Sequence, residues 1–162
     1  MSTEGRLSSL GEKLAAALRA GSPEAMRRFA AACARLTATE VGLDTPAVGD
    51  ALAAADWLAG GGDALADRVQ SARDAVAAVV KRLDEEGFRI HQHAEEMDAF
   101  DTDAFRAEYG AAFNRARAAN AVLTALLPDA REAAAETAYE ANVGADIAED
   151  RLLALAATCG LV

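Results

Sequence analysis

The sequence has little of three residue types that commonly build cores or mark chemistry, namely aromatics, prolines and cysteines. Aromatic side chains make up 5% of the 162 residues, and there are three prolines and two cysteines. Cys33 and Cys159 match no disulfide framework and no metal-ligand spacing. Cys33 also falls on an apolar seam with Phe29 and Leu36, which favours a small buried side chain over a nucleophile.

Three longer patterns are also missing. No segment alternates apolar and polar residues with a period of two, so we expect no strands. No apolar run approaches the ~18 residues of a membrane span, so we expect no membrane partner. The first residues include Glu4 and lack the apolar stretch of a secretory signal. We therefore expect a cytoplasmic protein built from helices.

Alanine and acidic residues are what the chain has in excess. Alanine accounts for about a quarter of the residues, and it has the highest intrinsic helix propensity. The net charge is −10, with +2 on residues 1–41 and therefore −12 on the remainder. This balance argues against a nucleic-acid partner, which requires clustered Lys and Arg. It suits a basic protein partner, and a solvated acidic surface is the alternative.

Helix start and stop signals divide the chain into segments. Pro23 and Pro46 stand at first helical positions, after capping residues at Ser22 and at Asp44 or Thr45. Gly87 is expected to end a long helix in the left-handed conformation. The predicted helices cover about 4–20, 23–40, 46–59, 63–86, 102–127, 129–144 and 146–158. We predict an all-α fold in which seven or eight Ala-rich helices pack antiparallel in one bundle.

The domain prediction is a single all-helical domain over residues 1–162, with a possible sub-boundary at 87–101. Residues 88–101 have no clear period and contain both histidines. The segment is either a short helix or an irregular connection. A functional site that no motif reveals is most readily expected in this segment.

This segment holds the candidate metal ligands His91, His93, Glu95 and Glu96. Imidazole and carboxylate groups are common ligands of transition metals. On a helix, however, His91 and His93 lie about 200° apart around the axis and do not share one ion. The pairs His91/Glu95 and His93/Glu96 each share a face, but a site would need further ligands from a second helix. Surface histidines are therefore favoured over a metal site.

A second candidate site is the series Glu132, Glu136 and Glu140, which the i, i+4 spacing places on one helix face. Like charges at this spacing cost a helix about 0.2–0.5 kcal/mol per pair. Such a ridge either serves a cationic partner or is tolerated on an exposed face. Tyr139 lies beside it and is a candidate interface anchor, with core packing as the alternative.

One stretch resembles a known family. Residues 29–61 have an apolar helix with Phe-Ala and Cys-Ala, a loop with Asp and Pro, and an Ala-rich helix with Trp before Gly. This pattern is similar to the opening of a family of helical immunity proteins from bacterial polymorphic toxin systems. The family's Ala/His-rich later helices are not found after residue 88. The resemblance implies a non-enzymatic cytoplasmic protein that binds and neutralises a toxin domain. The matching residues are Phe29, Ala30, Cys33, Ala34, Asp44, Pro46, Ala51, Leu52, Ala55, Trp57 and Gly60.

No catalytic or cofactor-binding motif is present, so the sequence predicts no catalytic residue and no cofactor. It favours a non-enzymatic protein that binds another protein, immunity-like or otherwise, through an acidic surface. One alternative is a helical-bundle protein that binds a metal or small ligand through His91, His93 and the nearby carboxylates. Another is a structural or assembly subunit, in which exposed Ala and Leu stripes build a homo-oligomer.

Overall fold

A computed structural model describes residues 2–162, and it confirms the prediction of an all-helical bundle. Within these residues there is no β-strand. The chain forms eight α-helices and one π-helical segment there. They are α1 (Thr3–Ser8), α2 (Glu12–Ala20), α3 (Pro23–Glu40), α4 (Pro46–Ala59), α5 (Asp67–Glu96), α6 (Asp103–Thr124), α7 (Ala130–Tyr139), the π-helix (Glu140–Gly144) and α8 (Glu149–Thr158).

Side-chain caps start five of the helices, and Ser2 caps the first of them, α1. Ser22 Oγ accepts a hydrogen bond from the Ala25 backbone N–H at 3.2 Å, and Thr45 rather than Asp44 caps α4. Thr102 caps α6, and Asp129 accepts from the backbone of α7 at 2.8 Å. Each cap satisfies an N–H that would otherwise lack an intrahelical acceptor. The local signals therefore set these starts.

The first predicted helix, 4–20, is wrong in one respect, because it is two helices with a break at residues 9–11. The hydroxyls of Ser8 and Ser9 both donate to the carbonyl of Gly5. Such side-chain bonds compete with continuation of the helix. Helix α2 then packs on α1, α7 and α8.

The long helix α5 differs from its prediction at both ends. It begins at Asp67 and not at about residue 63, and Leu65 lies in the preceding turn with 78% of its surface exposed. It also continues through Gly87 to Glu96, and Gly87 has no positive φ. Packing against α6 along its length overrides the weak helix propensity of this glycine. The suggested sub-boundary at 87–101 thus falls inside α5 and the turn that follows.

The core consists of two apolar clusters that share α3. One cluster lies among α3, α4, α5 and α6 with Ala133 of α7, and the other lies among α1, α2, α3, α7 and α8. Neighbouring faces of α3, about 100° apart around its axis, supply Ala30 and Ala34 to the first cluster and Phe29 and Cys33 to the second. Alanines dominate the first cluster, so the helix backbones approach closely there.

Helices α5 and α6 form an antiparallel hairpin that extends past both clusters. Neither cluster includes a buried residue between Leu83 on α5 and Ala116 on α6. We call residues 84–115 the arm. Its part of α5 runs on for 13 residues to Glu96, which is about 20 Å of helix. Its buried residues are small, namely Gly87, Ala94 and Ala112.

Candidate functional site

An exposed stripe of aromatic rings lies along the arm. On α6, Phe105 stacks on Tyr109 with ring centroids 5.5 Å apart, and Tyr109 stacks on Phe113 at 6.3 Å. Phe100, in the turn before α6, meets Phe105 edge-on at 5.3 Å. We call these four residues, together with His91 of α5, the aromatic stripe.

His91 closes the stripe from the opposite helix. Its ring lies 5.0 Å from Phe100, 6.4 Å from Phe105 and 6.1 Å from Tyr109, measured between centroids. The i, i+4 spacing of the α6 residues places their rings in one row, and the turn at 97–102 brings Phe100 to its end. The stripe therefore belongs to both helices and to the connection between them.

The stripe is open to solvent. Phe100 is 36% exposed and Phe113 43% exposed, and Tyr109 and Phe105 are half-buried. Burying a phenylalanine side chain is worth about 1.5–3 kcal/mol relative to leaving it exposed, so this arrangement is unfavourable for the isolated chain. Exposed apolar patches rimmed by polar residues commonly mark binding surfaces.

The arm concentrates the aromatic side chains of the whole protein. Five of the eight aromatics in the sequence fall between residues 88 and 113. The fifth, Phe88, is 67% exposed, and Met97 at the turn is 65% exposed. The sequence analysis did not identify these aromatics as an exposed surface, because the helical spacing of the α6 rings predicts only a helix. The available signal was their uneven distribution along a chain that is poor in aromatics.

A polar cluster anchors the inner end of the stripe. The Arg117 guanidinium lies 5.7 Å from the Phe113 ring centroid, in the position of a cation–π contact. It donates to Glu140 at 3.3 Å and lies 3.4 Å from Asp84. Asn120 donates to the other Glu140 oxygen at 2.8 Å. The row of rings is therefore tied to the bundle through Arg117.

The π-helix brings Glu140 to this cluster. A π-helical turn inserts an extra residue into a helix, and here it follows α7 directly and ends at Gly144. A side chain at Gly144 would meet Arg117 at 2.7 Å, so only glycine leaves room for the arginine stem. The sequence predicted an α-helix through to Gly144, because nothing in the pattern distinguishes a π-helical turn.

Burial raises the pKa of the Glu140 carboxyl above its ordinary value, and the nearby Glu136 acts in the same direction. Arg117, Asn120 and Arg6 lower it without cancelling the effect of burial. The Glu140 side chain is only 3% exposed. A charged carboxylate here loses most of its hydration, and its partners replace only part of it.

The predicted exposed ridge of Glu132, Glu136 and Glu140 does not form. Glu132 is exposed, but Glu136 is mostly buried in a 2.9 Å ion pair with Arg6, and Glu140 is buried. The Arg6 guanidinium also stacks over Tyr139, 3.9 Å from the ring centroid. Helix α1 covers this face of α7, so these acids bind the protein's own arginines instead of presenting one surface.

The predicted metal ligands lie near the tip of the arm. All four side chains are exposed, and His91 also packs against the aromatic rings described above. Residues 2–162 contain no group of three or more His, Cys, Asp or Glu side chains placed to hold a metal ion. A metal site here would need further ligands from α6, but α6 places the rings of Phe105 and Tyr109 beside His91.

Cys33 is fully buried in the second core cluster, as the apolar seam predicted. Burial raises the pKa of its thiol to about 12, so the thiolate is scarce near neutral pH. Its Sγ lies 3.9 Å from the Thr137 carbonyl oxygen. This position suits a packing role.

Two further observations concern the surface. Across residues 2–162, no helix combines the length and the apolar character needed to cross a membrane.

A shallow groove beside α5 is lined by Val80, Phe88 and Leu123, with Lys81 and Glu85 among its polar neighbours. Its mixed charge does not select one kind of ligand.

Comparison with known proteins gives no relative from which a role could be transferred. No family model, no curated protein and no solved structure matches this chain. The resemblance of residues 29–61 to immunity proteins therefore stays a prediction. Most of the residues that carry it, including Phe29, Cys33 and Ala55, are buried in the core.

Proposed function

We propose that this chain is a non-enzymatic protein that binds another protein through the tip of its arm. The observation that supports the proposal most directly is the exposed aromatic stripe. A chain with eight aromatics holds five of them on the arm, outside both core clusters. Aromatic side chains are enriched at the energetic centres of protein interfaces.

The shape of the arm fits this role. A helical hairpin holds the rings at helical spacing, so covering them loses less conformational entropy than covering rings on a disordered segment. Stacking within the row holds each ring in place before a partner arrives. The Arg117 cluster fixes the inner end of the row. These features support recognition by preformed contacts.

Photo-crosslinking in the native host tests the proposal. A photoreactive phenylalanine analogue at Met97, 65% exposed at the tip, should give a discrete adduct with one partner protein. The same analogue at Leu65, 78% exposed before the other end of α5, is the matched control and should not give that adduct. The readout is the mass and identity of the adduct.

The aromatic stripe supplies the second arm of the test. In the Met97-labelled chain, Phe113→Ser should abolish the adduct, and Leu65→Ser should leave it unchanged. Both substitutions replace an exposed apolar side chain with serine, so circular dichroism should show equal helicity. Equal adducts from both labelled positions, or an adduct that survives Phe113→Ser, would exclude the arm as the binding element.

The resemblance of residues 29–61 favours a more specific form of the proposal, a cytoplasmic immunity protein that neutralises a toxin domain. A toxin-like reading frame beside the gene would identify the candidate. Expression of that toxin should be lethal alone and tolerated when this chain is co-expressed. Protection should be lost with Phe113→Ser and kept with Leu65→Ser. If the toxin stays lethal when the unaltered chain is co-expressed, the immunity-protein form of the proposal is ruled out.

A further inference from the structure

The charge around the aromatic stripe indicates what kind of partner it takes. Residues 91–108 contain six acids and one basic residue, Arg106, giving −5 with neutral histidines. The whole chain carries −10, so the other 144 residues carry only −5. Half of the net charge therefore lies on these 18 residues. The six acids are Glu95, Glu96, Asp98, Asp101, Asp103 and Glu108, and all are exposed.

Most of this charge is not neutralised within the protein. Arg106 pairs with Asp103 at 2.7 Å. Across residues 2–162, no ion pair involves the other five acids of this set. The contrast with Glu136 and Glu140 is direct, since the structure provides those acids with Arg6 and Arg117. The acids at the tip face solvent beside exposed rings.

We infer that the aromatic stripe and its acidic rim form a docking surface for a cationic amphipathic helix of another protein. This inference rests on the proposed function and specifies its partner. Apolar side chains of the helix would cover the rings, and its Lys or Arg side chains would meet the rim. Phe105 and Phe113 are eight residue steps apart, about 12 Å of helix, which matches two turns of a partner that presents anchors at i, i+4 and i+7.

The same charges disfavour a second copy of this chain as the occupant. Pairing two tips would bring ten net negative charges into one contact, as twice the −5 of residues 91–108. Like-charge juxtaposition across an interface costs several kcal/mol. A nucleic acid or an anionic membrane surface would meet the same repulsion. A cationic helix is the occupant that both the rings and the rim favour.

Selection from a displayed library tests this inference without knowledge of the natural partner. Helical peptides with randomised faces would be selected on the full-length chain and depleted on the Phe100→Ser/Phe113→Ser variant. We expect the retained peptides to carry net positive charge and apolar residues at helical spacing. Two results would overturn the inference. One is a set of retained peptides that are neutral or acidic, and the other is that every selected peptide also binds the variant and is removed with it.

A charge variant with a matched control gives the quantitative arm. Glu95→Gln, Glu96→Gln, Asp101→Asn and Glu108→Gln together remove four rim charges. The control removes four exposed charges elsewhere, at Asp44, Asp50, Asp67 and Asp146, each to Asn. For a selected peptide, fluorescence anisotropy should show affinity weakened by about tenfold or more in the rim variant. The control variant should bind the peptide with an affinity within about threefold of the wild type. Added salt should weaken binding of the peptide to the wild-type chain. Equal losses in both variants would contradict the inference.

The competing occupants have their own readouts. Sedimentation of the wild-type chain should show a monomer, and a dimer abolished by Phe113→Ser would assign the surface to a second copy. Co-sedimentation with phosphatidylcholine and phosphatidylserine vesicles should be absent, and its presence would overturn the inference. If the Met97 crosslink captures a protein while the library yields no cationic helix, the proposed function stands and this inference fails. If the crosslink itself is absent, the proposed function fails.

Discussion

At the scale of single residues, Cys33 shows how position determines chemistry. The thiol is fully buried, and its pKa of about 12 stands against an ordinary value of 9.0. The thiolate fraction is therefore about a thousandfold lower in the folded chain at neutral pH. We predict that maleimide labels Cys33 at least ~1000-fold more slowly in native than in urea-unfolded protein, as followed by mass spectrometry of the peptide containing it. Rapid labelling under native conditions would show that the second cluster opens readily.

Glu140 should give the stability of the protein a characteristic pH dependence. The pKa of its carboxyl is higher in the folded chain than the ordinary value of 4.5. At a pH between the ordinary pKa and the folded pKa, the carboxyl is protonated in a larger fraction of folded chains than of unfolded chains. The contribution of this group to the free energy of unfolding is then fully present below pH 4.5 and falls as pH rises through the folded pKa. We predict that the stability difference between wild type and Glu140→Gln falls over that range, measured by urea unfolding at several pH values.

Glu132→Gln is the control for that measurement, since Glu132 is the exposed acid of the same series. Both variants replace one glutamate with glutamine, so the comparison isolates the effect of burial at Glu140. A Glu140→Gln difference that rises with pH would mean that the ion pair with Arg117 outweighs burial.

Residue-level signals from sequence were accurate where the cause is local. The starts of α3, α4 and α7 follow from Ser22, Thr45 and Asp129, because a cap acts within three residues of itself. Glu140 was misplaced for the opposite reason. Its burial depends on Arg117, which is 23 residues away in sequence and adjacent only in the fold.

At the scale of elements, the arm carries two glycines inside helices, Gly87 on α5 and Gly110 on α6. A methyl group added at either position meets no atom within 4 Å, and neither has a positive φ. Replacing an interior helical glycine with alanine stabilises a helix by about 0.5–1 kcal/mol. We predict that Gly87→Ala and Gly110→Ala each slow hydrogen exchange in the arm by about two- to fivefold, measured by mass spectrometry.

Gly61→Ala provides the matched control for these two substitutions. Its surroundings are equally open, but its φ is +91°, a conformation that disfavours alanine. This variant should be less stable than the wild type in urea unfolding. If all three substitutions had the same effect, backbone conformation would not be the cause.

Element boundaries were predictable only where chain-local chemistry dominates. The end of α5 was expected at Gly87, since glycine commonly ends helices. The helix continues because α6 packs against it, a contact between residues distant in sequence. The stripe on α6 shows a second limit. Phe105, Tyr109 and Phe113 have helical spacing whether that face is buried or exposed, so the pattern predicts the helix and leaves the surface undefined.

At the scale of the whole molecule, the two core clusters and the arm should differ in local stability. Helix α3 contributes to both clusters, and Phe29, Ala30, Cys33 and Ala34 are all fully buried. The arm beyond Leu83 buries only small residues and contains two glycines. Local opening should therefore begin at the tip and cost less free energy than global unfolding.

We predict that backbone amides of the helical residues 88–96 and 103–110 exchange at least about tenfold faster than those of residues 26–38, measured in the native state by hydrogen-exchange mass spectrometry. The comparison is between helical segments, so the difference reports support by the core and not the presence of helix. Binding of a selected cationic peptide should slow exchange in the arm and leave α3 unchanged, because ligand binding stabilises the state it requires. Equal protection of the arm and α3 in the free chain would mean that α5 and α6 fold as one unit with the bundle, and the tip would then be as rigid as the core that supports it.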